Sequence, residues 1–600
     1  MNKNVMDFGA VADGVTVTHK AFNDAINACA ESGGGYVEVP AGEYVCGTIE
    51  LKSNVILVLS PGCTVYASMD INDFVPLEVR HHAPMVRGER IKNSGFIGAG
   101  TLDCRRTNEM RAAYPNAGKP NIVAMEYCED FIIDGVTLKD TGGFTIYSFY
   151  NTNVTFHNIK ITTRGCENGD GIDFSASKNV VISDCFINTG DDAIGLKTHY
   201  PLEACENFTI NNCVITTRWA AVRLGPETCG DMKNITISNC VFNDCADGVK
   251  VQLCDTFLME DITVSNISMR NVVRPFFITS SSCPMSGKTA KRRPDPGIFR
   301  RLLISNVSAS MDSGLRNWFD TACVIQGIPD GIIEDVEVSN FHFLNAGGAT
   351  AEHAMKADHT EFILRNGYPD VPDSKYAACG FYVKNAKNIK FFNCTFDNIT
   401  YDHRTAIAAE AVDGLKIFGT EARNCAGLLR HYKVDGLDTA LCEGKIITFT
   451  DDQVKAWEDH RAVAIEQEAM VIEVCKWADD VRRLPDERIV EVADHEKLAV
   501  RNDSGRWESP AIPEVVFERE FEDTDKFAYY VTSNIFKSVY VDVDGETVFK
   551  WDRPSKYDRN HLFAYRLPID TDGKHTVKVY SPEERGGLVG KSTKLYKVDR

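Results

Sequence analysis

Apolar and polar positions alternate along much of the chain in short bursts rather than at helical spacing. The segments Asn153-Val-Thr-Phe-His-Asn-Ile, Asn179-Val-Val-Ile-Ser-Asp-Cys-Phe-Ile, Asn207-Phe-Thr-Ile-Asn-Asn-Cys-Val-Ile and Asn234-Ile-Thr-Ile-Ser-Asn-Cys-Val-Phe share one template, and their leading asparagines recur every 26–28 residues. A second polar position closes each burst, at Asn158, Asp184, Asn212, Asn239, Asn266, Asn306, Asn340 and Asn393. Short β-branched strands separated by Asn, Asp and Gly leave little room for helices. A fixed period of this length marks a solenoid in which each repeat is one turn. The pattern predicts an all-β fold, a parallel β-helix, with Cys185, Cys213, Cys240 and Cys394 stacked inside as small apolar residues. The Asn-x-Ser/Thr triplets that begin at 153, 207, 234 and 306 then read as solenoid corners. Wider steps after Asn266 and Asn340 predict loops inserted between turns, one of them over 280–297 and containing Lys291-Arg292-Arg293.

The two ends break the period. Ala21 to Ser32 reads as an amphipathic helix, followed by the turn Gly33-Gly-Gly and a strand, which together suit a cap on the first solenoid turn. From about 451 the chain becomes charged and helical in spacing, with Met470, Val474, Trp477 and Val481 on one apolar face. Alternating strands return from about 511, with Asp-Gly turns at 544–545 and 572–573. Three units are therefore expected: a solenoid over 1–450, a helical linker over 451–510 and a small β-sandwich over 511–600. The apolar helix face could pack on the open solenoid end or on a second copy of the chain, so a homo-oligomer through the C-terminal region is expected.

Composition narrows the partners. A net charge of −20 argues against nucleic acid as a partner, and no apolar run is long enough to span a membrane. The opening residues run directly into polar sequence without an apolar leader, so the 20 cysteines are expected as reduced thiols in a cytoplasmic protein. No Cys-x-x-Cys spacing occurs, and no metal or organic cofactor is expected.

The chemistry concentrates on two neighbouring turns. One carries Asn168-Gly-Asp170-Gly-Ile-Asp173, the next Thr189-Gly-Asp191-Asp192-Ala-Ile-Gly-Leu-Lys197. Asp170 and Asp191 lie slightly less than one period apart and should stand side by side. Carboxylates held that close raise one another's pKa, so one can stay protonated while another is ionised. That division of labour is what acid/base cleavage of a glycosidic bond needs. Asp and Gly are also ordinary turn residues, so spacing alone leaves a purely structural corner open beside the catalytic one.

The opening Asp7-Phe-Gly-Ala-Val-Ala-Asp-Gly, then Val39-Pro-Ala-Gly-Glu-Tyr, Leu51-Lys-Ser-Asn-Val, Gly98-Ala-Gly-Thr-Leu-Asp103, Tyr368-Pro-Asp and Gly380-Phe-Tyr-Val-Lys-Asn-Ala-Lys-Asn-Ile resemble glycoside hydrolase family 28, the polygalacturonases and their relatives. The resemblance runs in order from about residue 5 to about 430. It implies a right-handed parallel β-helix that hydrolyses pectin-type chains with inversion. It also implies Asp191 as general acid, with Asp170 and Asp192 holding and activating the water. For an inverting pair the acid and base carboxyls are expected roughly 6.5–9.5 Å apart.

The departures bear on substrate. Trp219-Ala220-Ala221-Val-Arg223-Leu-Gly225-Pro-Glu227 stands where the family has Gly-His-Gly-Ile-Ser-Ile-Gly-Ser-Glu, and Lys250-Val251-Gln252 where it has Arg-Ile-Lys. Strand alternation places Val222, Leu224 and Val251 inside, so Arg223, Lys250 and Gln252 are expected on the cleft face beside Lys197 and Asp173. Arg223 could grip a carboxylate or balance the acidic cluster, and Trp219 could stack on a sugar or cap a turn. The resulting expectation is an inverting hydrolase of plant-cell-wall oligosaccharides or glycosides that does not favour plain polygalacturonate. The rivals are a lyase using Arg223 or Lys250 as base, and a non-catalytic carbohydrate-binding solenoid.

Overall fold

The computed structural model describes residues 2–453 apart from 79–82, 115–117, 167, 200–202, 255–257, 281–296, 312–321, 329–331, 350 and 355–375. Beyond 453 it describes 489–494, 500–501, 507–508, 511–512, 514–535, 539–551, 561–580 and 588–599. The expected helix with Met470, Val474, Trp477 and Val481, the Lys291–Arg293 loop and the Tyr368-Pro-Asp motif lie outside the described residues. The chain forms two units, Met1–Asp451 and Asp452–Arg600.

In the first unit each turn contributes short strands that pair in parallel with the turns before and after. One turn is Ile146–Phe149, Thr152–His157 and Lys160–Thr162. The next is Ile172–Ser175, Lys178–Ser183 and Phe186–Thr189. Their register is direct: Ile146 opposes Ile172, Val154 opposes Val180, and Ile161 opposes Ile187. This is the parallel β-helix that the repeat implied. Its core is one continuous column in which Val154, Val180, Phe208 and Ile235 are aligned and buried. Each such side chain contributes roughly 1.5–3 kcal/mol by leaving water. Cys185, Cys213, Cys240 and Cys394 are buried free thiols within it. The helix His19–Glu31 buries Phe22, Ala25, Ile26 and Cys29 and caps the N-terminal end.

The corners explain the asparagines. Asn153, Asn179, Asn207 and Asn234 all sit in the left-handed region, with φ between 55° and 62°. The side-chain amides of Asn179, Asn207 and Asn234 each donate to the asparagine one turn earlier, at 2.9, 2.8 and 2.7 Å, and that of Asn153 donates to Asp130 at 2.9 Å. Asn tolerates this conformation because its short polar side chain recovers a local hydrogen bond. The second polar position builds a similar ladder, with Asn266, Asn306, Asn340 and Asn393 bonded in succession.

The second unit pairs Glu514–Phe521, Gly573–Tyr580, Val539–Val543 and Glu546–Trp551 in one antiparallel sheet. Phe527–Ile535, His561–Arg566 and Leu588–Asp599 belong to the other. Val515, Phe517, Val541 and Val577 from the first sheet and Val531, Tyr565 and Leu595 from the second share one core, a small β-sandwich. Ile489–Asp494 also pairs with Leu588–Asp599, within the segment expected as a helical linker. That strand is recruited by a partner about a hundred residues away, which local spacing does not reveal.

Among the described residues no helix is long and apolar enough to cross a membrane.

Candidate active site

The site forms on the strands that open each turn. Register aligns Tyr147, Asp173, Gly195, Arg223, Lys250 and Phe277 in one row whose side chains point away from the core. Val222, Leu224 and Val251 point inward and are buried in the core, as alternation requires. The corner just before each strand supplies Asp170 on one turn and Asp191 with Asp192 on the next. Backbone bonds fasten these corners together, because Thr145 N–H donates to the Asp170 carbonyl and Gly171 N–H to the Asp192 carbonyl, both at 2.9 Å. Buried Thr189 and Thr217 hydroxyls both donate to the Asp191 carbonyl. Gly190 permits this approach, since a Cβ there would stand 2.3 Å from the Cys166 carbonyl oxygen.

One carboxylate oxygen from each of Asp170, Asp191 and Asp192 lies within 4.8 Å of the other two. This is tighter than the roughly 6.5–9.5 Å expected for a separated acid and base. The reason is architectural: Asp191 and Asp192 are chain neighbours, and Asp170 stands one strand spacing away, about 4.8 Å. Lys197 bonds Asp173 at 2.7 Å and faces Asp170 at 3.7 Å. Gly195 leaves the room, because a Cβ there would meet Asp173 Oδ1 at 2.3 Å.

Asp192 is held on both oxygens. Its Oδ2 accepts Arg223 Nη1 at 2.6 Å, and its Oδ1 accepts the Ala220 N–H at 3.1 Å. Arg223 Nη2 donates onward to Gln252 Oε1 at 2.9 Å. Lys250 turns to Asp247 at 3.3 Å, and Asp247 also receives Arg274 through two bonds of 2.6 and 3.0 Å. Arg223, Lys250 and Gln252 therefore occupy the outward face but are buried there in polar contacts rather than lying open to solvent. Trp219 is half-buried at the next corner, with the Lys250 ammonium 6.0 Å from its ring.

These contacts push the carboxyls apart in acidity. Burial, then the charge of Asp192, raises Asp191 to about 7. Burial, then Asp173 and Asp191, lifts Asp170 well above the ordinary carboxylate range. For Asp192 burial acts upward, yet Arg223, Lys250 and Lys197 together outweigh it and hold the carboxyl below its ordinary value. Burial works against the charge of Lys197, but Asp173, Asp170 and Glu227 keep its ammonium well above the usual range. The arrangement thus supplies a proton donor in Asp191 and an ionised acceptor in Asp192 on one corner.

The three clustered aspartates also have the donor set of a cation site. Lys197 and Arg223 already stand against Asp170 and Asp192, so protein cations occupy that role.

Sequence reasoning missed the Asp247–Arg274 pair, which is fully buried, and the threonines that carry the corner. The threonines had a readable signal, because Thr163, Thr189 and Thr217 recur with the repeat.

The model of the family described as Glycosyl hydrolases family 28 matches residues 29–323. A probable polygalacturonase from Vitis vinifera is 23% identical over 377 residues, covering 56% of this chain and 73% of the relative. An exo-poly-alpha-D-galacturonosidase from Dickeya chrysanthemi is 22% identical, covering 52% of this chain and 62% of its own length. Among solved structures, an exopolygalacturonase from Thermotoga maritima superposes with a TM-score of 0.51 at 18% identity, covering 66% of this chain and 91% of that one. The family 28 exopolygalacturonase of Yersinia enterocolitica gives a TM-score of 0.51 at 17% identity, covering 73% and 78%.

Proposed function

This chain belongs to glycoside hydrolase family 28 and is a glycoside hydrolase, and from that premise we propose that it hydrolyses, with inversion at the anomeric carbon, a short plant-cell-wall oligosaccharide or glycoside whose sugar at the cleaved bond is not plain galacturonate. The observation that carries the substrate reading is the closure of the ion pairs. Asp170, Asp173, Asp191 and Asp192 face Lys197 and Arg223, and Lys250 and Arg274 are committed to Asp247. A substrate carboxylate entering here meets a cluster richer in acids than in cations and must displace an existing partner. A neutral sugar meets no such cost. The net charge of −20 also disfavours long polyanions.

In the proposed reaction Asp191 donates its proton to the leaving glycosidic oxygen. Asp192, held ionised by Arg223, takes a proton from the attacking water, and Asp170 helps to hold that water. The close spacing of the three carboxyls favours one second reading, a double displacement in which a carboxylate attacks the sugar carbon first. Hydrolysis of defined oligosaccharides followed by proton NMR of the first-formed product separates the two. An inverted anomer is expected, and a retained one replaces the mechanism. Efficient cleavage of unsubstituted polygalacturonate would overturn the substrate reading, and an unsaturated product absorbing in the ultraviolet would favour a lyase.

We further propose that the protein works in the cytoplasm, where the 18 free cysteines among the described residues would stay reduced. The C-terminal unit is proposed to mediate self-association, which sedimentation of the full chain and of a chain ending at 451 would test.

A further inference from the structure

Gln252 belongs to neither half of the acid/base pair, yet it lies at the end of a continuous chain of contacts that reaches one of them. Its side chain is fully buried, and its Oε1 accepts Arg223 Nη2 at 2.9 Å while Arg223 Nη1 lies 2.6 Å from Asp192 Oδ2. A guanidinium is a rigid planar fork, so fixing one amine fixes where the other points. An arginine side chain without that second anchor has several rotamers that leave the carboxylate. We propose that Gln252 is a positioning residue that holds Arg223 on Asp192 and through it keeps Asp192 in the state that accepts a proton.

This inference rests on the glycosidase reading above for its kinetic consequence, but its structural core does not. Asp192 is faced by Asp191 at its own corner, by Asp170 and Asp173 from the preceding turn, by Lys197 further along its own strand and by Arg223 and Lys250 from the two following turns. Among these Arg223 makes the direct contact. Its loss leaves Asp192 with three other acids and only the charges of Lys197 and Lys250, which make no direct contact with it, so the balance shifts toward the neutral form. Proton uptake by Asp192 would then require a higher pH to reverse.

The test is Gln252→Met, which keeps the volume and removes the acceptor. On a cleavable glycoside, kcat is expected to fall on the order of tenfold to a hundredfold with KM nearly unchanged. The acidic limb of the kcat profile should move to higher pH. Arg223→Lys, which keeps the charge but cannot span Asp192 and Gln252, should move that limb the same way. An unmoved limb in a folded Gln252→Met, or a raised KM with unchanged kcat, would overturn the proposal. A crystal structure of Gln252→Met reads the contact without turnover: Arg223 displaced from Asp192 supports it, and Arg223 still bonded there overturns it. If the unmodified protein cleaves no glycoside, the glycosidase reading fails while the crystallographic result still decides the positional claim.

Discussion

Two polar columns run up the same β-helix at different corners, and they behave in opposite ways. At one corner Asn153, Asn179, Asn207 and Asn234 repeat the same residue and nearly the same φ over four turns, joined by three amide-to-carbonyl bonds. These four positions are neutral, exposed and bonded chiefly to one another, with Asp130 taking the amide of Asn153. At the other corner Asp170, Asp191 with Asp192, Trp219 and Asp247 change from turn to turn. That column is charged, mostly buried, and balanced by a different cation at each turn: Lys197 at Asp170, Arg223 at Asp192 and Arg274 at Asp247. A repeated polar residue whose partner is its own copy one turn away builds the scaffold. A polar position whose partner differs, and whose charges do not cancel, stores the uneven acidity that catalysis needs.

The sharpest way to break this contrast is to disable one member of each column. Asp191→Asn removes the proposed proton donor, and kcat on a substrate with a poor leaving group should fall about a thousandfold or more. An activated aryl glycoside, which needs less protonation, should lose much less. Equal losses on both substrates would take the donor role from Asp191. Arg223→Ala should come next, because it leaves the buried Asp192 carboxylate unpaired. A loss of about 3–5 kcal/mol in stability is expected from denaturant titration, together with a large loss of activity.

The pH dependence sharpens the same contrast through stability. The Asp191 carboxyl sits at about 7 in the folded protein, above its ordinary value. The folded state therefore binds a proton that the unfolded chain has released, and this contribution is full below the unfolded pKa and lost as pH rises through about 7. Activity should decline over the same upper range as the donor empties. The Asp191 contribution to melting temperature should fall away between roughly pH 4 and pH 7, from the ordinary carboxyl value of 3.8 to about 7 in the folded protein, and Asp191→Asn should flatten that fall. A melting profile of Asp191→Asn parallel to that of the unmodified protein would exclude the linkage.

The smallest effect belongs to the ladder. Asn207→Ala breaks two ladder bonds and places a Cβ-bearing residue in the left-handed region without local compensation. It should cost about 1–2 kcal/mol and leave kcat unchanged. Asn207→Gly should recover part of that loss because glycine adopts the conformation freely. A clear drop in kcat for either variant would mean that the two corners are coupled.

Legibility in the sequence followed the same division. The ladder was visible because every turn repeats the reason for it, and the inward set Val222, Leu224 and Val251 followed from alternation alone. Asp170, Asp191 and Asp192 were visible as a constellation, since one period separates the turns that carry them. Their spacing was not: the expectation of widely separated carboxyls gave way to oxygens within 4.8 Å. Arg223 could be placed on the outward face but not assigned one partner, and Gln252, expected on the same cleft face, turns its carbonyl to Arg223.

The sequence by itself determined the period, the handover from apolar to polar along each strand and the outward face on which Arg223, Lys250 and Gln252 lie. Those properties depend on residue spacing of two along a strand and of one turn along the coil, which the chain carries explicitly. Only the tertiary structure decided which neighbours in those rows touch: Arg223 with Asp192 and Gln252, Lys250 with Asp247, and Ile489–Asp494 with the last strand. Side-chain pairing depends on rotamers, burial and distances of an ångström or two, and it is burial that lifts Asp191 toward neutrality while Arg223, Lys250 and Lys197 keep its neighbour Asp192 ionised.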